Sequence, residues 1–225
     1  MSVDSTHRAD CREAYDLWAP SYDVIDNPLI AESREVLARS SSVFANARVI
    51  EFGCGTGRNA QICLDAGALA YVGIDPSPGM LARARARMAD PRARWISGNF
   101  DTYALNERFD VALICLVLEH LDEVQSALAT TASALVSGGQ LVLIELHPSL
   151  HEAGVGANFR VGDREVRLPS FRHTAANLAH ACEHVGLRVE SMEDVKPTPQ
   201  ALSRSQKLGR YAETPVLLKL AARSS

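Results

Sequence analysis

Arg48-Val49-Ile50-Glu51-Phe52-Gly53-Cys54-Gly55-Thr56-Gly57-Arg58-Asn59-Ala60 is the stretch on which the reading of this chain turns. Val49 to Phe52 reads as a short strand, the glycines at 53, 55 and 57 as a tight turn, and Arg58 onward as a helix. A strand that feeds a Gly-rich turn and then a helix brings bare peptide planes and unpaired helix N–H groups to one pocket. Gly53 lets the chain turn sharply. Gly55 and Gly57 present no side chain, so a nucleoside or amino-acid moiety can lie against the backbone. The dinucleotide fingerprint is G-x-G-x-x-G; here the glycines alternate and position 58 is Arg. On this stretch alone, a nicotinamide enzyme, another nucleoside-binding protein and an ordinary strand-to-helix turn all stay open.

Working outward, strands and helices alternate. Helices are expected over about 10–18 and 28–39, the second with Pro28 in its first turn. After the strand at 49–52 come a helix over 58–66 closed by Gly67, and a strand over 71–74 that ends on Asp75. Next are a Ser77-capped helix to about Met88, a short strand at Trp95-Ile96, and an apolar strand over 109–115. A helix over 122–135 leads through Gly138-Gly139 into a strand over 140–146. Such alternation specifies a doubly wound parallel sheet with right-handed crossovers. Beyond His147-Pro148 the pattern changes. Residues 158–168 alternate around Gly162-Asp163 as a hairpin, 173–185 is helical, and 187–192 and 216–221 are strands. The polar stretch 196–209 reads as a loop, and residues 1–9 as loose.

Asp75 ends its strand eighteen residues after Gly57, where a carboxylate can accept from both hydroxyls of a ribose. The run Glu51-x-Gly53-x-Gly55-x-Gly57, then Asp75-Pro76-Ser77 with Met80, Gly98-Asn99-Phe100, Phe109 to Leu121 with its Leu118-Glu119-His120 ending, and Ser137-Gly138-Gly139 resemble, in order and interval, the motifs of the class I S-adenosylmethionine-dependent methyltransferases of small-molecule type. With Tyr15 to Asp23 before them, the resemblance covers most of the chain.

The resemblance implies an α/β fold: a Rossmann-like, doubly wound, seven-stranded and mostly parallel sheet ending in an antiparallel pair. N-terminal helices would precede it, and a small flap would follow strand five. One domain would span 1–225, with 10–40 as a lid and 148–172 as the flap. S-adenosylmethionine is the implied cofactor. Glu51 would reach its ammonium end, while Gly53, Cys54, Gly55 and Gly57 face the methionine part and the ribose. Asp75 would hold the ribose. Pro76, Met80 and Phe100 would meet the adenine, with Asn99 accepting from its amino group where the family often has Asp. Cys115 lies at the end of strand four, and Tyr15 and Tyr22 would close the site.

Methyl transfer to a hydroxyl needs a base beyond the carboxyl ends of the strands, and four histidines fall in that region of the sequence. His147 is the first candidate, followed by His120, His151 and His173. O-methylation of a small acceptor is the leading expectation, with C- or N-methylation of a metabolite as alternatives. A nicotinamide oxidoreductase would call for Gly at 58 and a Tyr-x-x-x-Lys pair. A non-catalytic S-adenosylmethionine-binding regulator would keep the turn but lack an acceptor cavity. Strand four is not followed by an Asn-Pro-Pro-Tyr tetrad, which argues against planar-amide and DNA-base substrates.

Composition narrows the partners. The 225 residues carry 23 basic and 27 acidic side chains, a formal net charge of −4 that gives no polyanion-binding surface. The expected partner is therefore a small-molecule methyl acceptor, with no nucleic acid and no membrane; a homodimer is the assembly kept open. The five cysteines form no C-x-x-C, and the longest apolar run, Val111 to Leu118, is far too short to span a bilayer. Both fit a cytoplasmic protein. His180 and His184 share one helix face without a third ligand nearby, so no metal is expected.

Overall fold

The structure is a computed structural model that describes residues 10–24, 27–103, 106–204 and 206–225. The expectation for residues 1–9 lies outside that range. Helix α1 (Cys11–Trp18) starts where Asp10 accepts from the Arg12 N–H, and α2 (Pro28–Arg39) where Asn27 accepts from the Leu29 N–H. Then follow β1 (Arg48–Phe52), α3 (Arg58–Asp65), β2 (Ala70–Asp75), α4 (Pro78–Arg87), β3 (Ala93–Ser97), β4 (Phe109–Cys115), α5 (Gln125–Ala134) and β5 (Leu135–Leu146). The C-terminal part comprises α6 (Pro148–Glu152), β6 (Asn158–Val161), β7 (Arg164–Arg167), α7 (Ala175–His184), β8 (Leu187–Val195), α8 (Pro199–Arg204), α9 (Gln206–Gly209) and β9 (Leu217–Ser224).

Seven strands form one sheet in the order β3-β2-β1-β4-β5-β9-β8. Only β9 runs against its neighbours, so the sheet is doubly wound and mostly parallel. Successive side chains along its strands point to opposite faces and fill two cores. Ile50, Phe52, Ile74 and Ile114 pack on one face with α5 and α7, and Val49, Tyr71, Leu113 and Ile144 on the other with α2 and α3. A third, smaller cluster joins α1 to the β6–β7 hairpin: Ala14 and Trp18 pack on Phe159, Val166 and Leu168. Trp18 and Phe159 stack with centroids 4.8 Å apart, tying the N-terminal helix to the hairpin.

Two expectations need correction. The 196–209 stretch is not a loop: Thr198 accepts from the Ala201 N–H and Pro199 opens α8, a start signal made by a cap and a proline rather than by apolar periodicity. Gly138-Gly139 is not a turn before β5 but a bulge within it, where the register to β4 shifts and Gly138 takes φ +77°. No helix of the described residues is long and apolar enough to cross a membrane, and all five cysteines are free.

Candidate active site

The carboxyl ends of β1, β2 and β4 converge on a cavity of about 350 Å³ roofed by α1. The three alternate glycines all hold positive φ, but for different reasons. A Cβ on Gly55 would have no atom within 4 Å, so this backbone stands open to the cavity. A Cβ on Gly57 would run into the Trp95 ring, and one on Gly53 into Val117. Gly57 is therefore fixed by packing and is not on the cavity wall, a correction to its expected role at the ligand.

Asp75 faces the cavity from the end of β2. Its Oδ2 accepts from the Gly55 N–H and its Oδ1 from the Ser77 N–H, at 2.8 and 2.9 Å. Burial pushes its pKa up to about 6, and the two N–H bonds pull against that. Each oxygen keeps a second lone pair for a ligand hydroxyl. Pro76, Met80, Asn99 and Phe100 continue the wall, with Phe100 stacked on Phe52 at 4.9 Å. Open backbone at Gly55, an anchored carboxylate and apolar faces beside it fit an adenosyl group. Asn99 departs from expectation, because its side-chain oxygen already accepts from the N–H and the hydroxyl of Thr102.

Glu51 and Cys54 are not on the wall. Glu51 is buried beneath the turn, where Asn59 Nδ2 and the Tyr71 hydroxyl donate to it, and burial raises its pKa to about 7. It therefore stands behind the cavity wall, away from the expected place of an ammonium group. The Cys54 thiol is buried against the Gly55 carbonyl. Cys115, Tyr15 and Tyr22 do line the cavity.

A second cavity, of about 620 Å³, adjoins the first, and Tyr15, Tyr22 and Leu116 line both. Leu116 takes φ +57°, a left-handed backbone that costs a leucine about 1–2 kcal/mol. That strain sits where β4 opens between the two cavities. At the same junction the Tyr15 hydroxyl meets His120 Nε2 at 2.8 Å, and His120 Nδ1 meets the Pro169 carbonyl at 2.8 Å. A carbonyl only accepts, so Nδ1 carries the proton in the neutral ring and Nε2 accepts from Tyr15. The 169–173 segment clamps this turn: Phe171 N–H donates to the Glu119 carbonyl, and the Ser170 hydroxyl to the Glu119 carboxylate.

The other three histidines do not reach either cavity. His147 caps α6, with Nδ1 accepting from the Ser149 N–H and Nε2 turned to Asp194. Pro148 at the first helical position makes His147 the cap, which removes the leading base candidate from the chemistry. His173 donates from Nε2 to the Leu118 and Leu121 carbonyls. His151 lies beside Ser170, with its pKa lowered by burial. No group of three His, Cys, Asp or Glu side chains that could hold a metal occurs among the described residues.

The N-terminal segment is fastened over the site. Asp16 accepts from the Ser77 hydroxyl and the Gly79 N–H at the start of α4. Asp23 pairs with Arg87 and accepts from Thr56, and Arg58 lies 4.7 Å over the Tyr22 ring. Sequence reasoning missed Leu116 and Glu119 as cavity residues, while Trp18 falls in the segment expected to form the lid. The aromatic spacing of α1 pointed to Trp18, but nothing local marks a leucine with positive φ.

Comparison with known proteins gives three kinds of likeness. The family model described as "Methyltransferase domain" matches residues 28–192. The chain is 25% identical over 188 residues to the malonyl-[acyl-carrier protein] O-methyltransferase of Anoxybacillus flavithermus, covering 76% of this chain and 71% of that one. It is 30% identical over 127 residues to a ubiquinone biosynthesis O-methyltransferase of Bradyrhizobium sp., covering 54% of this chain and 50% of that one. The match thus spans only about half the length of the second relative. Among solved structures, an S-adenosylmethionine-dependent methyltransferase from Mesorhizobium loti superposes with a TM-score of 0.71 at 23% identity, over 87% of this chain and 99% of that one.

Proposed function

We propose, from the premise that the chain belongs to the class I S-adenosylmethionine-dependent methyltransferases, that it methylates a hydroxyl of a small-molecule acceptor with His120 as the base. S-adenosylmethionine is the cofactor and supplies an electrophilic methyl group. Asp75 is assigned to its ribose hydroxyls, Gly55 to close backbone approach, and Met80, Pro76 and Phe100 to the adenine. The acceptor is assigned to the second cavity, which falls in the size range of small-molecule sites.

The observation that carries this reading is the Tyr15–His120 hydrogen bond on the wall between the cavities. An acceptor hydroxyl donating to the Tyr15 oxygen loses its proton as the Tyr15 proton passes to His120 Nε2. Tyr15 ends neutral and His120 ends as the imidazolium. Burial holds the Tyr15 phenol well above its ordinary pKa, so it relays a proton rather than resting as a phenolate. The Pro169 carbonyl keeps the ring oriented for this step. Residues 10–40 act as the lid and 148–172 as the flap of a single domain, and free cysteines suit a cytoplasmic location.

The test is transfer of labelled methyl from S-adenosylmethionine to a panel of hydroxylated compounds, with Tyr15→Phe and His120→Ala alongside. The reading expects methyl ethers as products and a loss of about 10²-fold or more in both variants. Transfer only to nitrogen or carbon, or variants as active as the parent, would overturn it.

A further inference from the structure

The second cavity carries its own description of a ligand. Aromatic faces dominate one side: Tyr15, Trp18, Tyr22 and Phe159 form a continuous set of ring contacts, with centroid separations from 4.8 to 6.0 Å. Rigid aromatic walls favour a flat ligand that stacks or meets them edge-on.

Two features of the wall carry unmatched polarity: a buried donor, and two arginines held, among the described residues, only by a carbonyl (Arg160 to Asp163) and a ring face (Arg210 over Tyr211). The Trp18 side chain is only 4% exposed, yet its indole N–H has no hydrogen-bond partner among the described residues. A buried donor left empty is costly, so an oxygen of the ligand is the natural partner. The wall also carries Arg160 and Arg210, both exposed, and neither pairs with a carboxylate among the described residues. The remaining charged wall residue, Glu119, is already engaged by Ser170. The cavity wall is therefore net positive in a chain of net charge −4, which favours an anionic ligand group at the arginines.

We propose that the acceptor is a planar, ring-hydroxylated aromatic that carries a carboxylate. The ring lies among the aromatic side chains, an oxygen accepts from the Trp18 indole, and the carboxylate meets Arg160 and Arg210. This rests on the assignment of the second cavity to the acceptor, and it adds charge and shape to what that assignment leaves open. A bicyclic ring is a suitable probe for a cavity of about 620 Å³.

The experiment is titration calorimetry of the full chain saturated with S-adenosylhomocysteine, using 6-hydroxy-2-naphthoate and its methyl ester as probes. The acid binds about tenfold or more tightly than the ester, which loses the charge-assisted contacts to the two exposed arginines. Arg210→Ala and Arg160→Ala each narrow that ratio, and Trp18→Phe weakens both probes while keeping the ring. Equal binding of acid and ester, a ratio unchanged in both arginine variants, or no binding of either probe overturns the proposal. Should the acid bind as expected while no hydroxyl is methylated, the O-methylation reading fails and the charge assignment stands.

Discussion

His120→Ala removes two hydrogen bonds at once, one from Nδ1–H to the Pro169 carbonyl and one from the Tyr15 hydroxyl to Nε2, each 2.8 Å long. A typical net hydrogen bond contributes about 0.5–1.5 kcal/mol, which gives roughly 1–3 kcal/mol for the pair. His120 is only half-buried and borders a cavity, so water can replace part of the loss and the lower end applies. For a chain of this size about 1 kcal/mol lowers the melting temperature by roughly 2–4 °C. The catalytic cost is far larger, about 10²–10⁴-fold in kcat for loss of a positioned base. Binding of S-adenosylhomocysteine should change by less than about threefold, under roughly 0.7 kcal/mol, because no polar contact to the cofactor is assigned to this ring. Thermal melts, calorimetry and single-turnover transfer at several pH values separate the three numbers. Because Tyr15 and His120 act as one relay, the double variant should cost about as much as the worse single one. A variant that folds, keeps kcat within about threefold and retains the parent pH profile would refute the relay.

Gly57→Ala should lower the melting temperature sharply, since its Cβ meets Trp95 at φ +70°, whereas Gly55→Ala at φ +52° meets no atom and should chiefly weaken S-adenosylhomocysteine binding; melts and calorimetry on both variants check this, and the reverse pattern would exchange their roles. His147→Ala should leave kcat unchanged in the transfer assay and cost stability on the scale of a lost helix cap, about 1 kcal/mol. Glu145 accepts from the Val117 and Leu118 N–H groups, and burial raises its pKa from 4.5 to about 8. The folded state therefore holds its proton more tightly than the unfolded chain. Stability from this group is full below pH about 4.5 and is lost as the pH rises through about 8. Glu145→Gln keeps a carbonyl for the two N–H groups and should flatten that decline in melts between pH 5 and 9; an unchanged slope would assign the dependence elsewhere.

Most of the sheet was legible in the sequence because its signals are local. Glycine turns, Ser77 and Pro78 at a helix start, and an apolar run at 109–115 each act within a few residues. Asp75 was legible for the same reason: it sits at a fixed interval from the Gly-rich turn. The partition among the histidines was not legible. His120 and His147 both follow strands, and only a proline one residue later and a carbonyl from 49 residues downstream distinguish cap from base. Glu51 likewise looks like a ligand group in the motif, and only the fold brings Tyr71 and Asn59 to occupy it. The role of Gly57 depends on Trp95 two strands away in the sheet, a contact no spacing rule contains.

The most direct measurement is a crystal structure with S-adenosylhomocysteine bound. The account predicts the ribose at Asp75, the ligand backbone-close at Gly55, and the sulfur facing the second cavity beside Tyr15. A sulfur turned away from that junction, or a ligand held outside the wall of Gly55 and Asp75, would contradict it.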